Sequence, residues 1–90
     1  MRYAARVDAN QAKIVQALRD AGAYVWVLGL PVDILVGYKG KTVLVEIKDG
    51  PKKRLTALQR DFFESWTGDT LCRVDGVEAA LRILKVIDES

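Results

Sequence analysis

Residues 31–48 read PVDILVGYKGKTVLVEIK, and this stretch decides the fold. Two runs rich in valine and isoleucine, 32–38 and 41–48, flank the dipeptide Lys39-Gly40. Runs of this composition predict strands, and a two-residue loop that contains glycine predicts that they pair as an antiparallel hairpin. The loop also determines the register, because each residue before it then has one fixed partner after it.

The predicted register places two carboxylates side by side at the open end of the hairpin. Asp33 lies directly opposite Glu46, which puts their Cβ atoms about 5 Å apart on one face of the sheet. Lys48 lies two residues beyond Glu46 and therefore shares that face. Close carboxylates repel each other, and one lysine cannot balance both negative charges.

A divalent cation would supply the missing positive charge. Mg²⁺ binds proteins through one or two carboxylates and completes its coordination with water and phosphate oxygens. We therefore expect Asp33 and Glu46 to bind Mg²⁺ or Mn²⁺, with the main-chain carbonyl of Ile47 as a candidate further ligand. Lys48 would orient or activate water, or stabilise charge on a phosphate in the transition state. The alternative is that Glu46-Ile47-Lys48 belongs to an ordinary half-exposed strand.

The rest of the chain completes an α/β pattern. Apolar spacing predicts three helices, over 9–21, 56–66 and 77–87, and β-branched or aromatic runs predict two further strands, over 24–28 and 70–74. A helix thus joins strand 41–48 to strand 70–74, which permits a parallel pair beside the antiparallel hairpin. We expect one domain, residues 1–90, in which a mixed sheet is flanked by helices on both faces.

Two of these helices carry more specific expectations. The helix over 56–66 is expected to bury one apolar face, formed by Leu55, Leu58, Phe62 and Trp66. Phe63 falls off that face and is a candidate dimer contact. The last helix is expected to begin with a capping box formed by Asp75 and Glu78.

Composition excludes several classes of protein. Half of the 90 residues are hydrophobic and 29% are charged, which excludes a wholly disordered chain. The single cysteine, Cys72, excludes an intramolecular disulfide, and the absence of histidine excludes a Ser/His or Cys/His catalytic unit and a His-ligated metal. No apolar run has the length of a membrane span, and the first residues lack the apolar core of a signal peptide. We expect a cytoplasmic protein without a membrane partner.

The pattern Pro31-Val32-Asp33 followed by Glu46-Ile47-Lys48 resembles the PD-(D/E)xK nuclease motif. The preceding helix, and the segment Leu55-Thr56-Ala57-Leu58-Gln59 in the following one, resemble the small VRR-NUC domains of phages and repair nucleases. The resemblance covers nearly the whole chain, residues 8–84. It implies a restriction-endonuclease-like αβββαβ core, and a phage or prophage protein that acts in the host cell.

The resemblance also implies an activity. It indicates a metal-dependent phosphodiesterase acting on DNA, with Asp33 and Glu46 as metal ligands and Lys48 as the catalytic lysine. Gln59 would act beside Lys48 by holding water or phosphate. The alternative for Gln59 is structural, because Thr56-x-x-Gln59 has the spacing of a capping box.

The sequence departs from the family pattern at two positions. The proline is one residue further from the aspartate than in the nominal motif, although Asp33 still falls opposite Glu46. Many relatives carry an acid on the first helix, and the matching position here holds Gln11, whose amide oxygen is a poorer ligand than a carboxylate. The number of bound metal ions is therefore open, and Asp8-x-x-Gln11 also has capping-box spacing.

A basic segment follows the second strand of the hairpin. Lys52, Lys53 and Arg54 stand just before the predicted helix, where they are expected to contact the phosphates of DNA. The alternative is an ordinary solvated loop. Lys39 is a further candidate for DNA binding.

These features favour a Mg²⁺- or Mn²⁺-dependent DNA endonuclease. Small relatives suggest action on branched DNA such as four-way junctions, and a homodimer would supply by symmetry the two incisions that a junction needs. One alternative is a non-catalytic module of the same fold that binds DNA or a protein partner. Another is a nuclease subunit that needs a larger partner.

Overall fold

The computed structural model describes residues 9–50 and 52–90. These residues form an α/β fold in the predicted order, with boundaries that differ from the prediction by one or two residues. The elements are α1 (Ala9–Asp20), β1 (Tyr24–Val27), β2 (Ile34–Tyr38), β3 (Lys41–Ile47), α2 (Ala57–Ser65), β4 (Leu71–Val74) and α3 (Val77–Asp88).

The strands form one mixed sheet in the order β1-β2-β3-β4. The pairs β1/β2 and β2/β3 are antiparallel, whereas β3 and β4 are parallel and are joined through α2. The predicted hairpin register is confirmed, since Ile34 pairs with Val45 and Tyr38 with Lys41. Lys39 and Gly40 both have positive φ angles, 49° and 80°, as a type I′ turn requires.

The hydrophobic core lies between one face of the sheet and the helices α1 and α3. Because side chains alternate along a strand, every second residue of β2 and β3 points to this face. The central buried side chains are those of Ile14, Leu18, Ile34, Val36, Val43, Val45, Ala80 and Leu84. Asp33, Glu46 and Lys48 occupy the alternate positions, which belong to the opposite face of the sheet.

The opposite face carries α2, and here one expectation is wrong. No residue of α2 is buried, so its apolar stripe does not enter the core. Leu58 is 71% exposed and Trp66, just after the helix, is 37% exposed, while Phe62 is half-buried with its ring 5.3 Å from that of Trp66. Helical spacing predicts that these residues share one face of α2. It does not predict whether another element packs against that face.

The expected capping box at the start of α3 is also absent. The N-cap residue is Gly76, whose position has no side-chain hydrogen bond. Asp75 stands one residue too early to cap the helix, and its main-chain carbonyl accepts a hydrogen bond from Asn10 Nδ2 at 3.1 Å. This contact joins the beginning of α1 to the loop between β4 and α3. Within the described residues, no helix has both the length and the apolar character needed to cross a bilayer.

Candidate metal and nucleic-acid site

Asp33 lies just before β2, and its carboxylate is hydrogen-bonded to the end of β3. Asp33 Oδ2 accepts a hydrogen bond from the main-chain N–H of Ile47 at 2.7 Å. The side chain therefore binds the main-chain donor that follows Glu46. A charged acceptor makes this a strong hydrogen bond, and it holds the two acidic residues at the same end of the hairpin.

Glu46 is the buried member of the pair, with 2% of its surface exposed. Its Oε2 atom accepts a hydrogen bond from Gln59 Nε2 at 2.8 Å and lies 3.5 Å from Lys48 Nζ. Its Oε1 atom is buried and has no hydrogen-bond partner within residues 9–50 and 52–90. One oxygen of Glu46 is thus held by the protein, and the other has unused acceptor capacity.

The electrostatics of Glu46 follow from this environment. Its pKa is raised from 4.5 to about 7, first by burial and then by the neighbouring carboxylate of Asp33. Lys48 acts in the opposite direction, since its ammonium group favours the ionised carboxylate. One cation therefore stands beside two carboxylates, the charge imbalance that the sequence predicts.

Gln59 makes a capping contact and a contact with the candidate site at the same time. Its Oε1 atom accepts from the Thr56 main-chain N–H at 2.9 Å, while Thr56 Oγ1 accepts from the Gln59 N–H at 3.2 Å, which completes a capping box. Its Nε2 atom donates to Glu46. The start of α2 therefore fixes the amide group that holds the buried carboxylate.

The basic loop, whose described residues are Gly50 and residues 52–54, follows β3 after two intervening residues. Lys52, Lys53 and Arg54 are exposed, and their side chains form no ion pair with any residue that the structure describes. The main chain is anchored at its start, where the Gly50 N–H donates to the carbonyl of Lys48 at 2.9 Å. These three cations can therefore meet an external anion beside the carboxylates.

Sequence reasoning missed Arg73. This residue lies on β4 and pairs in register with Glu46, so it belongs to the same face of the sheet. Its guanidinium group donates to the main-chain carbonyls of Gly50 and Lys53 in the basic loop. The parallel pairing of β3 and β4 is what brings Arg73 to this position, and no local sequence pattern signals that register.

The structure places Lys39 far from this group. Lys39 lies at the hairpin tip, about 17 Å from the open end if each strand residue rises about 3.3 Å. Its Nζ atom is 2.5 Å from Asp88 Oδ1, which also accepts a hydrogen bond from Tyr38 Oη at 2.9 Å. The Asp88 carboxylate raises the pKa of Lys39. In this position Lys39 ties the hairpin to the end of α3.

Gln11 lies in the first turn of α1 and is half-buried. Within the described parts of the chain it makes no hydrogen bond to the carboxylates. Its alternative capping partner, Asp8, lies outside the described residues. The contribution of Gln11 to a metal site therefore stays a prediction.

The two carboxylates suit a Mg²⁺ site that water and phosphate complete better than a site in which protein side chains supply every ligand. The described residues contain no group of three or more His, Cys, Asp or Glu side chains able to enclose a metal. Mg²⁺ nevertheless binds proteins through one or two carboxylates and completes its coordination with water and phosphate oxygens. The N–H and carbonyl of one strand residue point to the same side, so the Ile47 carbonyl is directed to the Asp33 side of β3. Asp33, Glu46 and this carbonyl would hold the ion.

Comparisons of the chain with protein-family models, with curated proteins and with solved structures found no match.

Proposed function

We propose that this chain is a Mg²⁺- or Mn²⁺-dependent DNA endonuclease built on a restriction-endonuclease-like core. The observation that carries the proposal is the buried carboxylate of Glu46, whose Oε1 atom has no hydrogen-bond partner among the described residues. Asp33 and Lys48 stand beside it at the end of the same hairpin. This combination suits phosphodiester hydrolysis, in which charge develops on phosphate oxygens.

Each side chain has a distinct part in the proposed reaction. When bound, the metal ion supplies Lewis-acid stabilisation of the phosphate. Asp33 and Glu46 would hold that ion, and Gln59 keeps Glu46 in place through a hydrogen bond. Lys48 orients the attacking water or stabilises the negative charge on the phosphate. The water oxygen forms a new bond to phosphorus and its proton passes to solvent, one P–O bond of the backbone breaks, and the departing alkoxide takes up a proton from solvent.

The cost of burying Glu46 argues against a non-catalytic module. Burial and the neighbouring carboxylate of Asp33 disfavour the ionised form of Glu46, and Lys48 offsets these effects only in part, since the pKa of Glu46 stays raised. A neutral residue would serve a binding module better at this position. The acidic pair is therefore best explained by a function that needs both charges.

The basic loop supports DNA as the substrate. Exposed lysine and arginine side chains contact backbone phosphates without reading sequence. Lys52, Lys53 and Arg54 lie four to six residues beyond Lys48 and are exposed. They would hold the DNA backbone beside the carboxylates.

We further propose that the enzyme is a homodimer that cleaves branched DNA such as four-way junctions. Leu30 and Leu58 are 75% and 71% exposed and line one open groove of about 420 Å³ with Phe62. Adjacent exposed apolar side chains that line a groove are candidates for an interaction surface. A second copy on this surface would place two sites in a symmetric pair.

The test of the activity is cleavage of linear, flap, splayed and four-way-junction DNA by the purified chain, with Mg²⁺, Mn²⁺ or EDTA. We expect metal-dependent cleavage that falls by orders of magnitude in Asp33→Asn and in Glu46→Gln, while DNA binding is kept. Glu64→Gln is the matched control, because Glu64 is an exposed carboxylate on α2. Cleavage by Glu46→Gln at the wild-type rate would contradict the proposal.

A further inference from the structure

Arg73 is connected to the basic loop through hydrogen bonds to main-chain carbonyls. Its Nη2 atom donates to the carbonyl of Gly50 at 3.1 Å, and the same group donates to the carbonyl of Lys53. The Lys53 N–H in turn donates to the Gly50 carbonyl at 3.3 Å. One guanidinium group therefore bridges the main-chain carbonyls of Gly50 and Lys53.

Few other contacts hold the main chain of the described loop residues, Gly50 and 52–54. Gly50 has a positive φ angle of 105°, a conformation that side chains disfavour, and its N–H is held by the Lys48 carbonyl. Lys52, Lys53 and Arg54 are exposed, so packing of their side chains does not order the loop. A charged donor shared between two carbonyls is the strongest contact available to such a segment.

The position of Arg73 links this loop to the candidate site. Arg73 pairs with Glu46 across β3 and β4, so both residues lie on the same face of the sheet. Arg73 is half-buried and its guanidinium group is engaged with loop carbonyls. It therefore joins the main chain of the loop to the strand beside Glu46 without having to contact a ligand itself.

We propose that Arg73 is a positioning residue that holds the basic loop in the conformation in which Lys52, Lys53 and Arg54 bind DNA phosphates beside the carboxylates. The DNA part of this inference rests on the proposed function. A loop that is ordered in advance loses less conformational freedom when it binds, and so it binds more tightly. Without Arg73 the same three cations would remain, but they would be held less firmly.

The first experiment needs no DNA. Trypsin cleaves after lysine and arginine, so the rate of nicking at residues 52–54, followed by mass spectrometry, measures how often the loop opens. We expect faster nicking in Arg73→Met than in wild type, and a rate closer to wild type in Arg73→Lys. Arg82→Met is the matched control, since Arg82 is exposed on α3 and makes no ion pair within the described residues. Equal nicking rates in all four proteins would overturn the positioning role.

The second experiment is a double-mutant cycle on DNA binding. Arg73→Met should weaken binding about tenfold in the wild-type loop, and by less than about twofold when Lys52, Lys53 and Arg54 are all alanine. Cleavage at saturating DNA should change much less than the affinity. An equal decrease in affinity in both backgrounds would show that Arg73 acts independently of the loop and would overturn the proposal.

Two further controls cover a variant that does not fold and a wild-type chain that does not bind DNA. If Arg73→Met does not fold by circular dichroism, Arg73→Lys is carried through the same cycle, because it keeps the charge and changes only the geometry of donation. If wild type does not bind DNA, yet Arg73→Met is nicked faster, the proposed function is wrong and the hold of Arg73 on the loop still stands.

Discussion

The carboxyl group of Glu46 is almost fully removed from solvent, and its pKa is raised by burial and by Asp33. The ionised form therefore destabilises the folded chain at neutral pH when no cation is bound. Gln59 and Lys48 contact only one of its two oxygens. At the scale of single residues, Glu46 is kept in an unfavourable electrostatic state that a metal ion would relieve.

The raised pKa of Glu46 predicts how stability changes with pH in EDTA. In the unfolded chain Glu46 loses its proton near pH 4.5, whereas in the folded chain it does so near pH 7. The folded state therefore holds one more proton between these values, and its stability falls as the pH rises through this window. Glu46→Gln should match wild type at pH 4 and be more stable by an amount on the order of 2 kcal/mol at pH 8.

Urea unfolding at both pH values measures this difference. Glu64→Gln serves as the control, since an exposed carboxylate should change stability little at either pH. A constant difference between Glu46→Gln and wild type from pH 4 to pH 8 would contradict the shifted pKa.

Metal binding should stabilise the ionised carboxylate of Glu46 and so offset the destabilisation that its burial causes. A ligand that binds only the folded state at a hundred times its Kd adds about 2.7 kcal/mol, which for a domain of this size raises Tm by roughly 15 °C. We expect Mn²⁺ to produce such a shift at pH 8 and a smaller one at pH 5, where Glu46 is protonated. The double variant Asp33→Asn/Glu46→Gln should show no shift. Equal shifts in both proteins would place the ion elsewhere.

At the scale of elements, the start of α2 combines a structural and a chemical contact in one side chain. Thr56→Ala removes the helix cap and should lower the free energy of unfolding by about 1 kcal/mol, while Gln59 can still reach Glu46. Gln59→Ala keeps the bond from the residue 59 main-chain N–H to Thr56 Oγ1, but it removes the other half of the capping box and the contact with Glu46 together. We therefore expect similar decreases in stability in the two variants, but a much larger decrease in cleavage in Gln59→Ala.

Urea unfolding and single-turnover cleavage, measured well below both melting temperatures, distinguish these effects. If cleavage decreases equally in the two variants, Gln59 contributes only through the beginning of the helix.

The basic loop is the second element with a measurable role. Replacing Lys52, Lys53 and Arg54 with alanine should weaken binding to every DNA shape alike, because phosphate contacts carry no sequence information. The slope of log K against log[salt] should fall by roughly one unit for each phosphate that the loop no longer binds. Lys48→Ala should have the reverse effect, with binding kept and turnover abolished. An unchanged salt slope in the triple variant would identify the loop as an ordinary solvated one.

At the scale of the whole molecule, the two faces of the sheet differ. Among the described residues, one face is covered by α1 and α3, whereas the other bears only the short α2 and leaves large apolar side chains exposed. Trp26 is 58% exposed and occupies the same face as the carboxylates, the face on which Leu58 lines the apolar groove with Leu30. A second copy of the chain is the partner that we expect on this surface.

The double variant Leu30→Ser/Leu58→Ser should therefore convert a dimer into a monomer. Neither leucine is part of the core, so the variant should keep its fold and its metal-dependent shift in Tm. Sedimentation equilibrium measures the change from the mass of two chains to that of one. Val86→Ser is the control, because Val86 is 61% exposed on α3. A monomeric wild type, or a double variant that stays dimeric, would exclude this surface as the interface.

The sequence alone determined the hairpin and the acidic pair at its open end. Alternation along a strand and the geometry of a two-residue turn are local properties, so the loop Lys39-Gly40 fixes which residues face each other. That is sufficient to bring Asp33 and Glu46 together and to place Lys48 on the same face. The order of helices and strands follows from equally local patterns of apolar residues.

Tertiary structure alone decided how that pair is supported. Gln59 reaches Glu46 only because α2 folds back over the sheet, and Arg73 reaches the basic loop only because β4 pairs in parallel with β3. In the same way, Lys39 is paired with Asp88 near the other end of the chain. These contacts join residues distant in sequence, and they depend on how whole elements pack rather than on any local preference. For the same physical reason, the sequence showed the apolar stripe of α2 but not that it is left exposed.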